Sequence, residues 1–477
     1  MLGKNMLSMS ALSLYRNAVQ FGMNIAIAAF VQPGDYGLVV FTTPFVVLIA
    51  MLTDLGMTSA ITRAPKLSRE EVGAAMAAMT IGGAGCALLL ATAAYPLQWS
   101  LGMAGLGPVM IGMSFVVVLS VAAATPRALL ERQLRYGLIA SLEAGAIAIA
   151  AVIGLVAAWH GAGVWSLVIY NLINHGLRAA VFGWSARGGL ALNLGFRRLG
   201  SLLSFGGWVL ASNVLNFFAR NSDNLLIGAS LGAAAVGVYG LSYQFMLAPL
   251  MAITWPTSAI LLSTLRHEDP HGARATGMVE SVLTATAMLS VPAMIYLTFG
   301  LGFPVDTLLS GRWHEVPLIV AWLAPAGALQ SIASYNGALL MVAGRARAQF
   351  ALTVVNTIVL VATFVIALPF GLFALVKAYT VVITLLSMAF LTMIVGLTGL
   401  SWRRLLRALM PAVVATSAGL IGVALTTGLK PASWAGWIGA TAVYGTLVLG
   451  TYGVLHARVR SALAVLVARG PQVATGT

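Results

Sequence analysis

Five ionisable residues interrupt stretches of this chain that are otherwise apolar: Arg16, Asp54, Arg220, Asp223 and Lys377. Charge is costly in hydrocarbon, so such residues mark binding or coupling positions by default. Arg16 has Asn17 and Gln20 beside it and no acid close in sequence. Its guanidinium therefore calls for an anion, either from another helix, most plausibly Asp54, or from a ligand. Arg220 and Asp223 lie three apart on one helix face and can pair, each lowering the other's desolvation cost. Asn221, Ser222 and Asn224 surround them with polarity that a lipid-facing helix would not carry, so this patch is expected to line a cavity. Asp54, nine residues before Arg63, is too deep for a short side chain to reach water. It reads either as a buried hydrogen-bond acceptor or as a carboxylate that carries a proton. Lys377 can extend to the outer interface or serve the cavity. Glu143 and Glu280, near Arg135 and Arg274, are expected at the cytoplasmic interface. The candidate cavity residues are thus Arg16, Asn17, Arg220, Asn221, Asn224 and Lys377, with Asp54 and Asp223 as coupling or structural carboxylates.

Other chemistries lack their residues. The sequence contains no G-x-x-x-x-G-K-S/T loop for nucleotide phosphates. The histidines, His160, His175, His267, His271, His314 and His456, form no zinc pattern. His267 and His271, beside Glu268 and Asp269, read as a solvated loop. The longest external segment, Phe303 to Glu315, offers only Asp306, Arg312, His314 and Glu315, which is thin for an active site. No catalytic residue, metal or cofactor is expected. The one cysteine, Cys86, reads as packing.

The elements that must hold these residues are membrane spans. The chain of 477 residues is 60% apolar and 8% charged, with a mean hydropathy of +0.95. A soluble domain carries roughly a quarter charged residues, so an aqueous enzyme is excluded. A spanning helix needs about 20 apolar residues. Cutting the apolar stretches at polar, Gly and Pro clusters gives spans at 7–31, 37–61, 73–97, 108–128, 138–159, 164–184, 203–230, 234–262, 279–302, 316–343, 350–368, 371–395, 408–428 and 435–456. The first is read as an uncleaved helix rather than a signal peptide.

With the N-terminus inside, 21 of the 26 basic residues fall on the cytoplasmic side, counting Arg127, at the end of the fourth span, and Arg178, within the sixth, with the cytoplasmic connections that follow them. Only Arg312 and Lys430 fall outside. The net charge of +14 is therefore explained by topology, without a nucleic-acid partner. Prolines within spans, among them Pro44, Pro126, Pro256 and Pro292, leave carbonyls that must be satisfied by other groups.

The chain also repeats itself. Arg16-Asn17 precedes Tyr36-Gly37 as Arg220-Asn221 precedes Tyr239-Gly240; Thr58-Ser59-Ala60-Ile61 recurs as Thr257-Ser258-Ala259-Ile260; and Gly163-Val164-Trp165-Ser166-Leu167-Val168 is echoed by Gly371-Leu372-Phe373-Ala374-Leu375-Val376. The fold expected is an all-α polytopic membrane protein of about 14 transmembrane helices. It comprises two six-helix lobes, 1–190 and 191–400, related by a pseudo-twofold along the membrane normal, and two peripheral helices with a tail, 401–477. That symmetry would set Arg16 and Arg220 on opposite walls of a central cleft.

Several blocks resemble a known family: PGDYGLVVFTTPFVVLIAMLTDLGMTSAITR from Pro33, PRALLERQLRYG from Pro126, GVWSLV from Gly163, FARNSDNLLIGASLGAAAVGVYGLSYQFMLAPL from Phe218 and NGALLMVAGRA from Asn336. They are similar to the polysaccharide (O-antigen, Wzx-type) flippases of the multidrug/oligosaccharidyl-lipid/polysaccharide exporter superfamily. The resemblance implies alternating access and transfer of an undecaprenyl-diphosphate-linked oligosaccharide from the cytoplasmic to the periplasmic leaflet of the bacterial inner membrane, with both termini cytoplasmic. Arginine forks suit a diphosphate, and Asn17, Asn221 and Asn224 could meet sugar hydroxyls. Polymerase and glycosyltransferase machinery are possible partners. The alternative is a drug/cation antiporter of the same superfamily, which would be expected to prefer an acidic cavity.

Overall fold

The computed structural model describes residues 2–63, 68–189, 200–254, 257–258, 261, 264–265 and 272–455. Of the positions named above, Pro256, Ala259, Ile260, His267, Glu268, Asp269, His271 and His456 lie outside the described residues, as do seven of the basic residues counted on the cytoplasmic side, Lys66, Arg197, Arg198, Arg266, Arg458, Arg460 and Arg469. The described chain is helical throughout, and its contacts divide it into two compact units, 1–240 and 241–477.

The first unit contains α1 (Leu2–Ala28), α2 (Pro33–Asp54), α3 (Met57–Arg63), α4 (Arg69–Leu101), α5 (Leu106–Arg132), α6 (Tyr136–Trp159), α7 (Val164–Ala186), α8 (Gly200–Leu231) and the start of α9 (Ala233–Pro249). Pro33 opens α2 at the first helical position, where its missing N–H costs nothing. The expected span 37–61 is not one helix. The left-handed Leu55 (φ 47°) and Gly56 (φ 73°) end α2, and α3 starts afresh at Met57. The start of α4 is fixed by a capping box, in which Ser68 and Glu71 satisfy each other's backbone N–H groups.

Central to this unit is α5, packed against α2, α4 and α7, while α6 joins α1 to α7. The expected lobe boundary near residue 190 follows the repeat; the compact units instead divide within α9 because α8 packs on α2 and α3. Glycine permits this approach. A Cβ on Gly37 would stand 1.7 Å from the Ala233 carbonyl oxygen, and one on Gly237 would stand 2.1 Å from that of Pro33. Close backbone approach through small residues is the usual basis of helix crossing in lipid.

In the second unit, α9 ends in a π turn at Leu250–Thr254, followed by α10 (Ala273–Gly300), α11 (Gly302–Leu308), α12 (Glu315–Ala333), α13 (Asn336–Val342), α14 (Ala346–Ala367), α15 (Leu372–Thr398), α16 (Trp402–Thr426) and α17 (Trp434–Val454). The repeat is visible in the packing. Pairs α4–α5, α5–α7 and α6–α7 of the first unit are matched by α10–α12, α12–α15 and α14–α15 of the second. The joints match as well. Leu134 (φ 56°) leads into α6 as Gly344 (φ 69°) leads into α14, with Arg135 N–H donating to Leu130 O and Arg345 N–H to Leu340 O. Gly163 and Gly371, at the head of the third repeated block, both take positive φ at the starts of α7 and α15.

The last two helices, expected at the periphery, are bonded along one helix, α10. Pro292 has no N–H, so the carbonyl of Met288 lacks its usual donor four residues on. Tyr452 OH donates to that carbonyl at 2.7 Å, Tyr444 OH to Pro292 O at 2.9 Å, and Trp437 Nε1 to Gly300 O at 2.7 Å. The final helix thus supplies a donor to the Met288 carbonyl that the proline leaves open and to Gly300 O at the end of α10, and adds one to Pro292 O. Among the described residues, ten helical segments are long and apolar enough to cross a membrane. This is an all-α, multi-pass membrane protein.

Candidate functional site: an arginine cluster around Glu143

On α6 the buried face reads Ile139, Glu143, Ala146, Ile147 and Ala150, at the three- and four-residue spacing of a packed helix stripe. Glu143 is its one acid, with a side chain only 6% exposed. A carboxylate taken so far from water is tolerated only if paired and hydrogen-bonded, and three helices supply the partners. Arg16 of α1 donates from Nη1 to Oε2 at 3.1 Å. Arg127 of α5 donates from Nε to Oε1 at 3.0 Å, and Arg178 of α7 from Nη2 to the same oxygen at 2.7 Å. Arg127 also reaches Glu131, one turn on in α5, with Nη1 at 2.7 Å. One buried carboxyl thereby ties α1, α5 and α7 to α6.

The cluster carries more positive than negative charge: three guanidinium groups face Glu143 and Glu131. It is also open on its cationic side, since the arginine side chains of residues 16, 127 and 178 are 37%, 35% and 22% exposed. Each guanidinium has five N–H donors, and among the described residues only the contacts above engage them with carboxylates. The arrangement can accept a second, multivalent anion over the one it already holds. Below Arg178 on the same face of α7 stand Asn174 and Tyr170, at four-residue intervals; both are buried, and Asn174 Oδ1 and Tyr170 OH have no hydrogen-bond partner among the described residues.

Arg16 is the one expected site residue that this cluster contains, with the half-buried Asn17 next to it. Its partner is Glu143, not Asp54. Glu143 itself, expected at the interface, is buried because α6 turns it inward; Arg127 and Arg178, expected in cytoplasmic connections, lie within α5 and α7. A signal was available, for Glu143 is the lone charge in a 24-residue apolar helix, and Tyr170, Asn174 and Arg178 recur every fourth residue.

The other expected residues stand elsewhere. Asp54 accepts from both the backbone N–H (3.1 Å) and the hydroxyl of Thr58, which caps the start of α3. The expected Arg220 and Asp223 pair does not form. Asp223 is buried and takes its hydrogen bonds from Tyr239 OH (2.9 Å) and the Asn224 backbone (2.8 Å), whereas Arg220 is exposed on α8. Asn221 donates to the carbonyl of Phe217 in its own helix, and Asn224 Oδ1 is buried without a hydrogen-bond partner among the described residues. In the second unit Lys377 is exposed on α15, its ammonium 5.3 Å from the Trp322 ring centre, a cation–π contact. Glu280 pairs with Arg404 of α16 at 2.7 Å rather than with Arg274.

A sequence model described as "Polysaccharide biosynthesis protein" matches residues 26–318, more than half of the chain. The chain belongs to this polysaccharide biosynthesis family. Its relatives include the lipopolysaccharide biosynthesis protein WzxC of Escherichia coli (strain K12), 21% identical over 346 residues that make up 71% of this chain and 70% of WzxC. The succinoglycan biosynthesis transport protein ExoT of Rhizobium meliloti (strain 1021) is 24% identical over 57% of each chain. Among solved structures, the lipid II flippase MurJ in an inward closed conformation superposes with a TM-score of 0.75 at 11% identity, covering 94% of this chain and 98% of MurJ. An inward-facing multidrug resistance MATE transporter gives 0.62 at 14% identity, covering 84% and 99%. The fold is shared with these two solved membrane transporters.

Proposed function

We propose that the protein moves an undecaprenyl-diphosphate-linked oligosaccharide from the cytoplasmic to the periplasmic leaflet of the bacterial inner membrane, by alternating access and with both termini in the cytoplasm. The observation that carries this reading is the arginine cluster. It places an excess of guanidinium charge inside the helices of a polysaccharide transporter, with N–H groups open to an incoming anion. A diphosphate offers several oxygens in the geometry that guanidinium forks prefer. The cluster lies toward the Arg132 and Arg135 ends of α5 and α6, which the distribution of basic residues assigns to the cytoplasm. The lipid tail stays in the bilayer while the polar head passes. Arg220, Asn221, Asn224 and Lys377 are assigned to the route of the head and its sugars, and Asp54 and Asp223 to structural hydrogen bonds. Polymerase and glycosyltransferase machinery would supply and consume the substrate. A drug/cation antiporter is the weaker reading, because the surplus positive charge around Glu143 repels a cation.

The test is removal of the protein from its host. Polyprenyl-linked oligosaccharide should accumulate on the cytoplasmic face and be cleared on re-expression. Unchanged lipid-linked pools together with drug sensitivity would instead establish the antiporter.

A further inference from the structure

The arginine cluster already contains an anion. Glu143 lies beneath three guanidinium groups as a phosphate would, and Arg16 is its link to α1. We infer that Glu143 is a resident counter-ion which a diphosphate displaces from Arg16, so that binding of the polar head releases α1 from α6. The identity of the anion rests on the flippase reading above; the exchange itself rests on the geometry.

Four observations support it. First, the carboxylate is 6% exposed while Arg16 is 37% exposed, so a ligand arriving from the open side meets the guanidinium before it meets Glu143. Second, the three bonds are unequal: Arg127 and Arg178 share Oε1 at 3.0 and 2.7 Å, and Arg16 alone takes Oε2 at 3.1 Å. Losing Arg16 leaves Glu143 with two arginines and still paired, so the exchange strands no buried charge. Third, α1 meets the rest of the first unit chiefly along α6, where the face around Glu143 consists of Ala, Gly and Ile side chains that offer no other ionic link. Fourth, a ligand shifts a conformational equilibrium only through a difference in its affinity for the two states. Here that difference is explicit, since Arg16 cannot serve Glu143 and the phosphate equally well. Glu143 then also promotes release, because its charge repels a phosphate seated over it. It is a positioning residue and an internal competitor.

The experiment uses the full chain, purified into lipid nanodiscs, with Cys86→Ser and spin labels at the exposed positions Tyr15 on α1 and Ile149 on α6. Inorganic pyrophosphate is the first probe, undecaprenyl diphosphate the second, and undecaprenyl monophosphate the control. In the wild type, pyrophosphate should widen the α1–α6 distance. Glu143→Gln should be wide without ligand, should bind pyrophosphate at least about ten-fold more tightly because one repelling charge is gone, and should lose export. Glu143→Asp, which keeps the charge, should retain the weaker affinity, and it stands in if the glutamine variant fails to accumulate. Arg16→Gln should be wide at rest and unresponsive. Weaker pyrophosphate binding by Glu143→Gln, or a ligand response that survives Arg16→Gln, would overturn the inference. Response to both diphosphates but not the monophosphate supports a diphosphate head, and response to free pyrophosphate alone excludes the lipid as the source. If the exchange holds while lipid-linked oligosaccharide does not accumulate in the deletion host, the flippase reading fails and the counter-ion device stands.

Discussion

Replacing Tyr452 by phenylalanine removes one oxygen, and its effect should depend on a residue in another helix. In α10 the carbonyl of Met288 would ordinarily accept from the N–H four residues later, but that residue is Pro292. Tyr452 OH supplies the bond instead, at 2.7 Å. Tyr452→Phe therefore leaves a helix carbonyl without a donor in a setting where water is scarce. An unsatisfied buried group costs about 1–3 kcal/mol in soluble proteins, whereas interhelical hydrogen bonds measured in membrane proteins average about 0.6 and reach about 1.7 kcal/mol. The membrane figure governs here, and because the proline removes the donor four residues on, the loss should fall in its upper half, about 1–1.7 kcal/mol. Pro292→Ala restores the missing N–H, so Tyr452→Phe made in that background should cost close to nothing. The assay is reversible unfolding in mixed detergent and SDS micelles for the four members of the double-mutant cycle. Their coupling energy should be about 1 kcal/mol. Equal cost of Tyr452→Phe in both backgrounds would refute the claim that the hairpin repairs the proline.

Three further outcomes follow from particular contacts. Arg16→Ala should abolish export while the protein remains in the membrane, and Arg16→Lys should retain part of the activity; adding Asp54→Ala to Arg16→Ala should give no rescue, since Asp54 bonds Thr58 and not Arg16. Gly37→Val should reduce folded protein by a cost of several kcal/mol, beyond the ~1–3 kcal/mol of ordinary overpacking, because its Cβ would meet a backbone carbonyl that cannot rotate away; normal levels of the variant in the membrane would show that α2 and α9 separate freely. A cysteine at His314 should react with an impermeant thiol reagent from outside and one at Arg404 should not, in a Cys86→Ser background; His314 is chosen because it is exposed while its neighbour Trp313 is fully buried.

The residues alone determined that the chain is helical and crosses a membrane many times, and that two halves repeat. Those properties are set locally: apolar length decides a span, and a glycine or basic residue ends one. The break at Leu55 and Gly56 escaped this reading because spans were cut only at clusters of polar, Gly and Pro residues and Gly56 stands alone, and only the left-handed turn it shares with Leu55 separates α2 from α3. The depth inferred for Asp54 assumed a continuous helix, so its role as the cap of α3 was hidden by the same turn. Arg16 was recognisable as a cation in need of an anion, because the cost of a charge in lipid does not depend on the fold. Which anion it meets was decided by tertiary structure, since Arg16, Arg127, Glu143 and Arg178 lie on four helices and meet only when α6 turns its buried face toward the other three. Asp223 makes the same point in reverse: spacing along α8 made Arg220 its natural partner, and the packing of α9 brought Tyr239 to it instead. Sequence spacing governs which residues share a face of one helix, but it says nothing about which faces of different helices converge, and an ion pair buried between helices is decided by that convergence.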